Sequence, residues 1–349
     1  MARIIYGVQG NGRGHAVRAL ALARRFPQHR FLFLTHTDGL PVLQKEYPTV
    51  LCPNPETPVR GHRVAGAEMA VKNLHFWMKR RQRLKSVEKI FDAFKPDVAI
   101  TDYEHFVPIV SRKLGIPCLS MDHQHIVTCW KHRVPPAQVA SYVGAFLAAR
   151  LLFSAASRYL VVSFYKPEGV ESCLKARLVP PLLRELVMKR IPRDGEHVLA
   201  YQSTSTFSRF LPLLRAAGRP VVVYGFGEAR VEGNLTFKKY SEKGFLEDLA
   251  SCCYVVCGGG HTLLSEALHL GKPVISFPIS NIFEQYLNAH YLEKLGYGKC
   301  LAHLRPARDT IPSFEARLEE YRNRIRGERF CGNEEIFSLV NRFIEEEKL

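Results

Sequence analysis

The stretch from Cys257 to Ala289 has the residue types and spacing that a phosphate and sugar site needs. Ahead of it, Tyr254 to Val256 is β-branched or aromatic and indicates a buried strand. Gly258 to Gly260 permit a sharp turn, a helical pattern runs from Leu263 to Leu270, and a second strand follows from Pro273 to Phe277. The free N–H groups of such a helix predict an anion site. A tight turn that only needs small residues would leave the same pattern.

A second glycine-rich turn lies at the N-terminus. Ile4 to Val8 predicts a strand, Gly10 to Gly14 a loop and Ala16 to Arg25 a helix. A dinucleotide-binding site would need an acid after the second strand, where this sequence has Thr35 to Asp38, which is poor support. Both glycine turns are therefore predicted at the carboxyl ends of strands, where open α/β sheets bind ligands.

These motifs resemble the nucleotide-sugar glycosyltransferases with the two-Rossmann-domain architecture called GT-B. The similarity is closest to the bacterial peptidoglycan N-acetylglucosaminyl transferases and the plant secondary-metabolite glycosyltransferases. The positions that match the C-terminal signature of that family are Gly258, Gly259, Thr262, Glu266, Gly271, Pro273, Pro278, Glu284, Gln285, Asn288 and Ala289. The family's N-terminal loop closes with Gly-His, and this sequence has Gly14 and His15 there. Arg13 stands where the family usually keeps a small residue.

The resemblance implies a catalytic pair. His15 looks like the general base that takes the proton from the acceptor, and Asp102 resembles the acid that orients this histidine. Such a histidine suits proton transfer at about pH 7 and contributes on the order of 10² to 10⁴ in rate. The loop residues Gly12, Arg13 and Gly14 would contact the acceptor. A polar loop residue is the alternative for His15, and a helix cap is the alternative for Asp102.

The resemblance also implies a donor site. Its residues are Gly258, Gly259, Gly260, His261, Thr262, Glu266, Glu284, Gln285, Ser203, Ser205 and Phe245. The glycines and the start of the following helix would hold the diphosphate and stabilise the departing nucleotide. Glu266 would bind ribose hydroxyls, and Phe245 would offer its backbone to a uracil. Glu284 and Gln285 would bind the donor sugar, although ordinary surface polarity is their alternative. The two serines would add phosphate contacts or simply cap a helix.

Composition limits the function classes. The chain has 349 residues, of which 46% are hydrophobic and 23% charged, as in a globular protein with two ordinary domains. The net charge of +16 points to nucleotide phosphates, anionic lipids or nucleic acid as partners, or to a generally basic surface without one. The nine cysteines form no C-x-x-C pair and the N-terminus does not resemble a signal peptide, so a reducing, cytoplasmic location is expected.

Strands alternate with helices along the chain, which predicts an α/β fold of two doubly wound parallel sheets. We expect an N-terminal acceptor domain over residues 1–185 and a C-terminal donor domain over residues 195–330. A last helix within residues 331–349 would pack back on the first domain, as the resemblance implies. The same resemblance places the two domains across a cleft.

Two segments are relevant to whether the protein associates with a membrane. Lys72 to Phe94 predicts an amphipathic helix whose basic face would lie on an anionic membrane, hold an anionic acceptor, or face solvent. Val139 to Phe153 is apolar but is interrupted by Arg150 and is too short to span a bilayer, so no span is predicted. The expected location is the cytoplasm, with peripheral attachment to the inner face of the membrane left open.

The resemblance, together with these features, implies an inverting transferase that moves a hexose or N-acetylhexosamine from a UDP-sugar to an acceptor hydroxyl. No metal or other cofactor is expected, because the Asp-x-Asp pair of metal-dependent transferases is absent. A lipid-linked or cell-envelope glycan is compatible as acceptor. One alternative is a UDP-sugar 2-epimerase or hydrolase of the same fold. A basic nucleic-acid-binding protein is the other, although the sequence lacks the motifs of that class and no nucleic acid is expected.

Overall fold

The computed structural model describes residues 1–202, 210–302 and 309–347, which form two compact units. The first comprises Met1–Pro58, Ala65–Arg184 and Cys331–Leu349, and the second comprises Val59–Val64 and Glu185–Phe330. These boundaries lie close to the predicted ones, except that the short segment Val59–Val64 belongs to the second unit. No sequence pattern predicted that Val59–Val64 belongs to the second unit.

The first unit is built on a seven-stranded, entirely parallel sheet with strand order β3-β2-β1-β6-β7-β8-β9. The strands numbered up to this point in the chain are β1 (Arg3–Val8), β2 (Arg30–Thr35), β3 (Thr49–Leu51), β4 (Val59–Arg60), β5 (Arg63–Val64), β6 (Val98–Asp102), β7 (Cys118–Asp122), β8 (Arg158–Val162) and β9 (Ala176–Val179). Strands β4 and β5 form a separate antiparallel hairpin.

The second unit has a seven-stranded sheet of order β12-β13-β11-β10-β14-β15-β16, which is parallel except for the edge pair β12 and β13. Its strands are β10 (Val198–Tyr201), β11 (Val221–Tyr224), β12 (Arg230–Glu232), β13 (Leu235–Phe237), β14 (Tyr254–Gly258), β15 (Val274–Phe277) and β16 (Gly298–Cys300). Two doubly wound sheets of this kind agree with the predicted fold class.

Helices connect the strands. They are α1 (Arg13–Arg25), α2 (Leu40–Leu43), α3 (Gly66–Met78), α4 (Arg80–Phe94), α5 (Phe106–Leu114), α6 (Ile126–Cys129), α7 (Val139–Ala148), α8 (Glu185–Met188), α9 (Leu211–Arg215), α10 (Glu242–Ser251), α11 (His261–His269), α12 (Phe283–Lys294), α13 (Thr310–Glu315), α14 (Leu318–Arg326) and α15 (Asn333–Glu346). The last helix joins the core of the first sheet, because Ile336, Val340, Phe343 and Ile344 pack there beside the apolar face of α1.

Two helix predictions need correction. The single helix expected from Lys72 to Phe94 is two helices, α3 and α4, because Lys79 (φ −93°, ψ 2°) leaves the helical conformation between them. Helix α1 begins at Arg13, three residues before the predicted start, so Arg13 and Gly14 belong to its first turn and not to a loop. Gly12, at φ +79°, is the residue before the helix, a conformation that favours glycine.

The apolar segment around α7 is longer than the sequence suggested. A 3₁₀ turn (Pro136–Gln138), α7 and a π-helical turn (Ala149–Phe153) form one helical run of 18 residues. By length and composition alone this run could cross a membrane, so the prediction that it is too short was wrong. Only 11% of the run is buried within the protein, and a single such helix is weak evidence for a span.

Candidate functional site

The first candidate site lies at the start of α1. His15 is in the first turn of this helix, which follows the carboxyl end of β1 and the connecting residues 9–12, and its side chain is 15% exposed. Its Nδ1 lies 2.7 Å from Oδ1 of Asp102, the last residue of the neighbouring strand β6. Because Nδ1 faces the carboxylate, the other ring nitrogen, Nε2, is the one that can accept a proton. The predicted pair is therefore brought together.

Arg18 completes this cluster, and sequence reasoning missed it. One turn after His15, its guanidinium donates from Nε to Oδ2 of Asp102 at 2.9 Å and from Nη2 to Oδ1 at 2.6 Å. Both charged side chains are buried; burial alone would lower the pKa of Arg18, but the charge and hydrogen bonds of the Asp102 carboxylate outweigh it and raise that pKa. The bidentate geometry fixes the carboxylate plane, which in turn fixes the ring of His15. The available signal was the spacing of three residues on one helix face.

Residues that directly follow strand β2 hold the glycine-rich loop before α1 in place. Asp38 Oδ2 accepts a hydrogen bond from the amide of Gly12 at 3.1 Å, and His36 Nε2 accepts one from the amide of Gly10 at 3.1 Å. Burial lowers the pKa of His36 to about 4, so this imidazole is neutral at neutral pH and can accept. The segment from Thr35 to Asp38, which does not match a dinucleotide-binding signature, therefore orients the glycine turn that leads to His15.

The second candidate site lies in the second unit, where β14 leads through Gly260 into α11. Among the residues that the structure describes, no side chain caps the start of α11, so none of them satisfies the N–H groups of its first turn as a cap. His261 is buried and Thr262 is half-buried in that turn, while Glu266 is buried in the second turn. The arrangement is suited to an anion, as the strand, turn and helix pattern predicted.

Helix α12 packs against the glycine turn. Asn288 Nδ2 donates to the carbonyl of Gly259 at 2.9 Å and to Oε1 of Glu284 at 2.8 Å. Gln285 Oε1 accepts a hydrogen bond from the amide of Ile279 at 3.0 Å. The polar residues predicted to bind a donor sugar thus also hold the backbone of the site.

The three glycines of the turn are not equivalent. None has a positive φ, so the turn does not depend on glycine for its conformation. A Cβ on Gly259 would lie 2.5 Å from the backbone carbonyl oxygen of Gln285, whereas a Cβ on Gly260 would meet no atom of the described residues within 4 Å. Gly259 is therefore required by the close approach of α12.

This difference gives a matched test. We expect Gly259→Ala to destabilise the second unit by about 1 to 3 kcal/mol, because α12 must move away. Gly260→Ala should leave thermal stability nearly unchanged and instead weaken nucleotide binding, because its methyl group lies at the exposed mouth of the turn. Thermal unfolding and a nucleotide titration on both variants check this expectation. Equal stability of the two variants would contradict it.

Three further predicted residues have different outcomes. Phe245 lies inside α10, where its N–H bonds to the carbonyl of Ser241 at 2.9 Å and its ring packs among tyrosines. The N–H of Phe245 is therefore used within its own helix, and the contact of this backbone with a uracil stays a prediction. Ser203 and Ser205 lie outside the described residues.

The hairpin of β4 and β5 adds a residue that the sequence did not reveal. His62 is buried, and its Nε2 donates to the carbonyl of Phe277 at 3.0 Å. The amide of Ser280 donates to the carbonyl of His62 at 3.0 Å. The hairpin therefore supports the segment that joins β15 to α12, which carries the predicted sugar-binding residues.

Within the described ranges, no group of three or more His, Cys, Asp or Glu side chains is placed to hold a metal ion. Metal independence stays a prediction.

Three features together define a GT-B glycosyltransferase. They are two doubly wound sheets, a histidine and carboxylate pair at the first sheet, and a helix start at the second sheet that no described side chain caps. The chain belongs to glycosyl transferase family 1, whose model matches residues 2–319. An uncharacterized glycosyltransferase of Methanosarcina acetivorans is 23% identical over 379 residues, covering 99% of this chain and 98% of that protein. A Bacillus cereus UDP-N-acetylglucosamine--N-acetylmuramyl-(pentapeptide) pyrophosphoryl-undecaprenol N-acetylglucosamine transferase is 24% identical over 132 residues, or 34% of this chain and 37% of that protein.

Solved structures show the same fold. A glycosyltransferase from Streptomyces sp. SF2575, complexed with thymidine diphosphate, has a TM-score of 0.62 and 16% identity over 98% of this chain and 100% of its own. Phytolacca americana UGT2, complexed with UDP-2-fluoroglucose and pterostilbene, has a TM-score of 0.64 and 15% identity over 93% of each chain.

Proposed function

We propose that this transferase uses a UDP-sugar, carrying a hexose or an N-acetylhexosamine, and inverts the anomeric configuration without a metal. The acceptor hydroxyl attacks the anomeric carbon in line, its proton passes to Nε2 of His15, and the nucleotide diphosphate leaves. The observation that carries this proposal is the 2.7 Å contact between Nδ1 of His15 and the buried Asp102. This contact fixes the tautomer that leaves Nε2 as the base.

The departing diphosphate would be stabilised by the helix start at Gly260 and His261. N–H groups of a first helical turn, together with the dipole of α11, supply partial positive charge where negative charge develops. We propose UDP as the nucleotide on the strength of two proteins: the Bacillus cereus relative named for UDP-N-acetylglucosamine, and the plant neighbour solved with a UDP-sugar. The neighbour solved with thymidine diphosphate makes a thymidine nucleotide the competing donor.

For the acceptor we propose a lipid-linked or cell-envelope glycan, following the name of the Bacillus cereus relative. We further propose that the protein works in the cytoplasm. All nine cysteines are free thiols, as a reducing compartment maintains them.

The direct experiment incubates the purified protein with UDP-N-acetylglucosamine, UDP-glucose or thymidine diphosphate glucose, with and without a lipid-linked glycan acceptor. We expect nucleotide diphosphate release that depends on the acceptor, a product of inverted configuration, and no change on adding a chelator. Release or a new sugar nucleotide without any acceptor would instead identify the hydrolase or the 2-epimerase. Loss of activity with the chelator would refute metal independence.

Glu266 offers a test of the donor site alone. We expect Glu266→Ala to weaken UDP binding about tenfold or more, because a buried carboxylate that accepts from ribose hydroxyls forms charge-assisted hydrogen bonds. Calorimetric titration with UDP measures the dissociation constant, and a thermal scan of the same sample confirms that the variant is folded. Glu293→Ala, an exposed glutamate of α12 in the same unit, is the control. An unaltered dissociation constant for Glu266→Ala would rule out the ribose role.

A further inference from the structure

Helix α7 carries no charged residue, and none of its ten residues is buried. An amphipathic helix ordinarily packs its apolar stripe on the core of its own domain. Here the large aliphatic residues of α7 and the following π turn recur every fourth position and are 45% to 72% exposed, at Val139, Val143, Leu147 and Leu151. Residues at this spacing share one helix face, so α7 presents an apolar stripe to its surroundings.

Helix α3 presents a second apolar face. Its exposed large residues are Val71, Leu74, Trp77 and Met78, each at least 40% exposed. The ends of the two helical runs meet at His105, whose ring lies 5.8 Å from that of Trp77 and 6.1 Å from that of Phe153. The Nδ1 of His105 also donates to the carbonyl of Leu152 at 2.7 Å. The C-terminal ends of the two helical runs therefore lie close together, and we call the eight exposed residues of the two runs the α3–α7 surface.

The segments that carry the α3–α7 surface are rich in basic residues, and the guanidinium of Arg80 lies 5.9 Å from the ring of Trp77. Between residues 66 and 95, which span α3 and α4, there are eight basic and three acidic residues. Between residues 131 and 153 there are three basic residues, Lys131, Arg133 and Arg150, and no acidic one. An apolar face on segments rich in basic residues attracts an anionic, amphipathic surface.

We propose that the α3–α7 surface docks on an anionic lipid bilayer, with its apolar side chains at the boundary between head groups and acyl chains. A second copy of this chain is a poorer occupant, because each copy carries a net charge of +16 and the basic segments of two copies would repel. Lying on the bilayer is favoured over spanning it. The run contains Arg150, and buried Ala149 and Phe153 hold its end against the first unit.

The test is flotation of the full chain with phosphatidylcholine vesicles that contain about 30% phosphatidylglycerol, compared with phosphatidylcholine alone. We expect binding to the anionic vesicles, weaker binding as salt rises, and little binding to the neutral ones. Leu147→Glu with Leu151→Glu should reduce partitioning about tenfold or more, since two charges replace apolar groups at the lipid boundary. Ile191→Glu with Val231→Glu, two exposed apolar positions of the second unit, is the matched control and should bind normally.

A thermal scan of each variant establishes that it is folded, and flotation needs no sugar donor, so a failed transferase assay does not affect the result. Absent binding, equal binding to both kinds of vesicle, or equal binding of the two double variants would overturn the proposal. Sedimentation of a dimer that the Leu147 and Leu151 changes dissociate, without vesicle binding, would assign the surface to a second copy.

Discussion

Replacing His15 by alanine is expected to lower kcat by about two to four orders of magnitude while leaving the dissociation constant for the donor nearly unchanged. The imidazole contacts Asp102 in the first unit, whereas the predicted nucleotide contacts all lie in the second. Loss of the base therefore affects proton transfer from the acceptor and not nucleotide binding. Single-turnover kinetics with saturating donor, together with a UDP titration, separate the two quantities.

His75→Ala is the control for this prediction, because His75 is an exposed histidine of α3 in the same unit. It should retain wild-type turnover. If His15→Ala reduced donor affinity as much as turnover, the residue would be a binding residue and not the base.

The architecture was predictable because its signals are local. β-branched runs, glycine turns and helical spacing mark strands within a residue or two, as for β1 and β15. The break at Lys79 was not predictable, because helix-forming residues continue across it and nothing in the pattern marks a stop. The β4 and β5 hairpin was missed since its partner, Ser280, is more than two hundred residues away in the sequence.

The candidate site shows the same limit. His15 and Asp102 were predicted from family motifs, which name residue types at fixed spacing. Arg18 is not part of the motif that carried the resemblance, and only the adjacent placement of β1 and β6 shows that it reaches the same carboxylate. Likewise, the reason that Gly259 must be glycine lies in the carbonyl of Gln285 and not in the glycine run itself.

Arg18 allows the other large prediction. We expect Arg18→Met to destabilise the first unit by about 3 to 5 kcal/mol, because it leaves the buried Asp102 carboxylate without its bidentate partner. Both tryptophans of the chain, Trp77 and Trp130, lie in the first unit, so urea unfolding followed by tryptophan fluorescence reports on that unit. Arg18→Lys should recover little of the lost stability, since an ammonium group cannot form the bidentate contact with the Asp102 carboxylate.

Arg24→Met is a closely matched control. Arg24 lies on the same helix, and its guanidinium forms a bidentate pair with the Glu46 carboxylate. The side chain of Arg24 is 43% exposed and that of Glu46 is 38% exposed. Its loss should cost at most about 1 kcal/mol. Removing both buried charges, in Arg18→Met with Asp102→Asn, should regain part of the stability that Arg18→Met loses.

A merely structural arginine would change stability alone, so the pH dependence of turnover decides whether Arg18 also positions the catalytic pair. Without the guanidinium, the full negative charge of Asp102 acts on His15 and favours its protonated form. Protonation removes the base, so the acidic limb of the kcat/KM profile should move to higher pH in Arg18→Met. An unmoved profile together with lower stability would restrict Arg18 to the fold. A variant as stable as Arg24→Met would show that the buried ion pair does not stabilise the first unit as proposed.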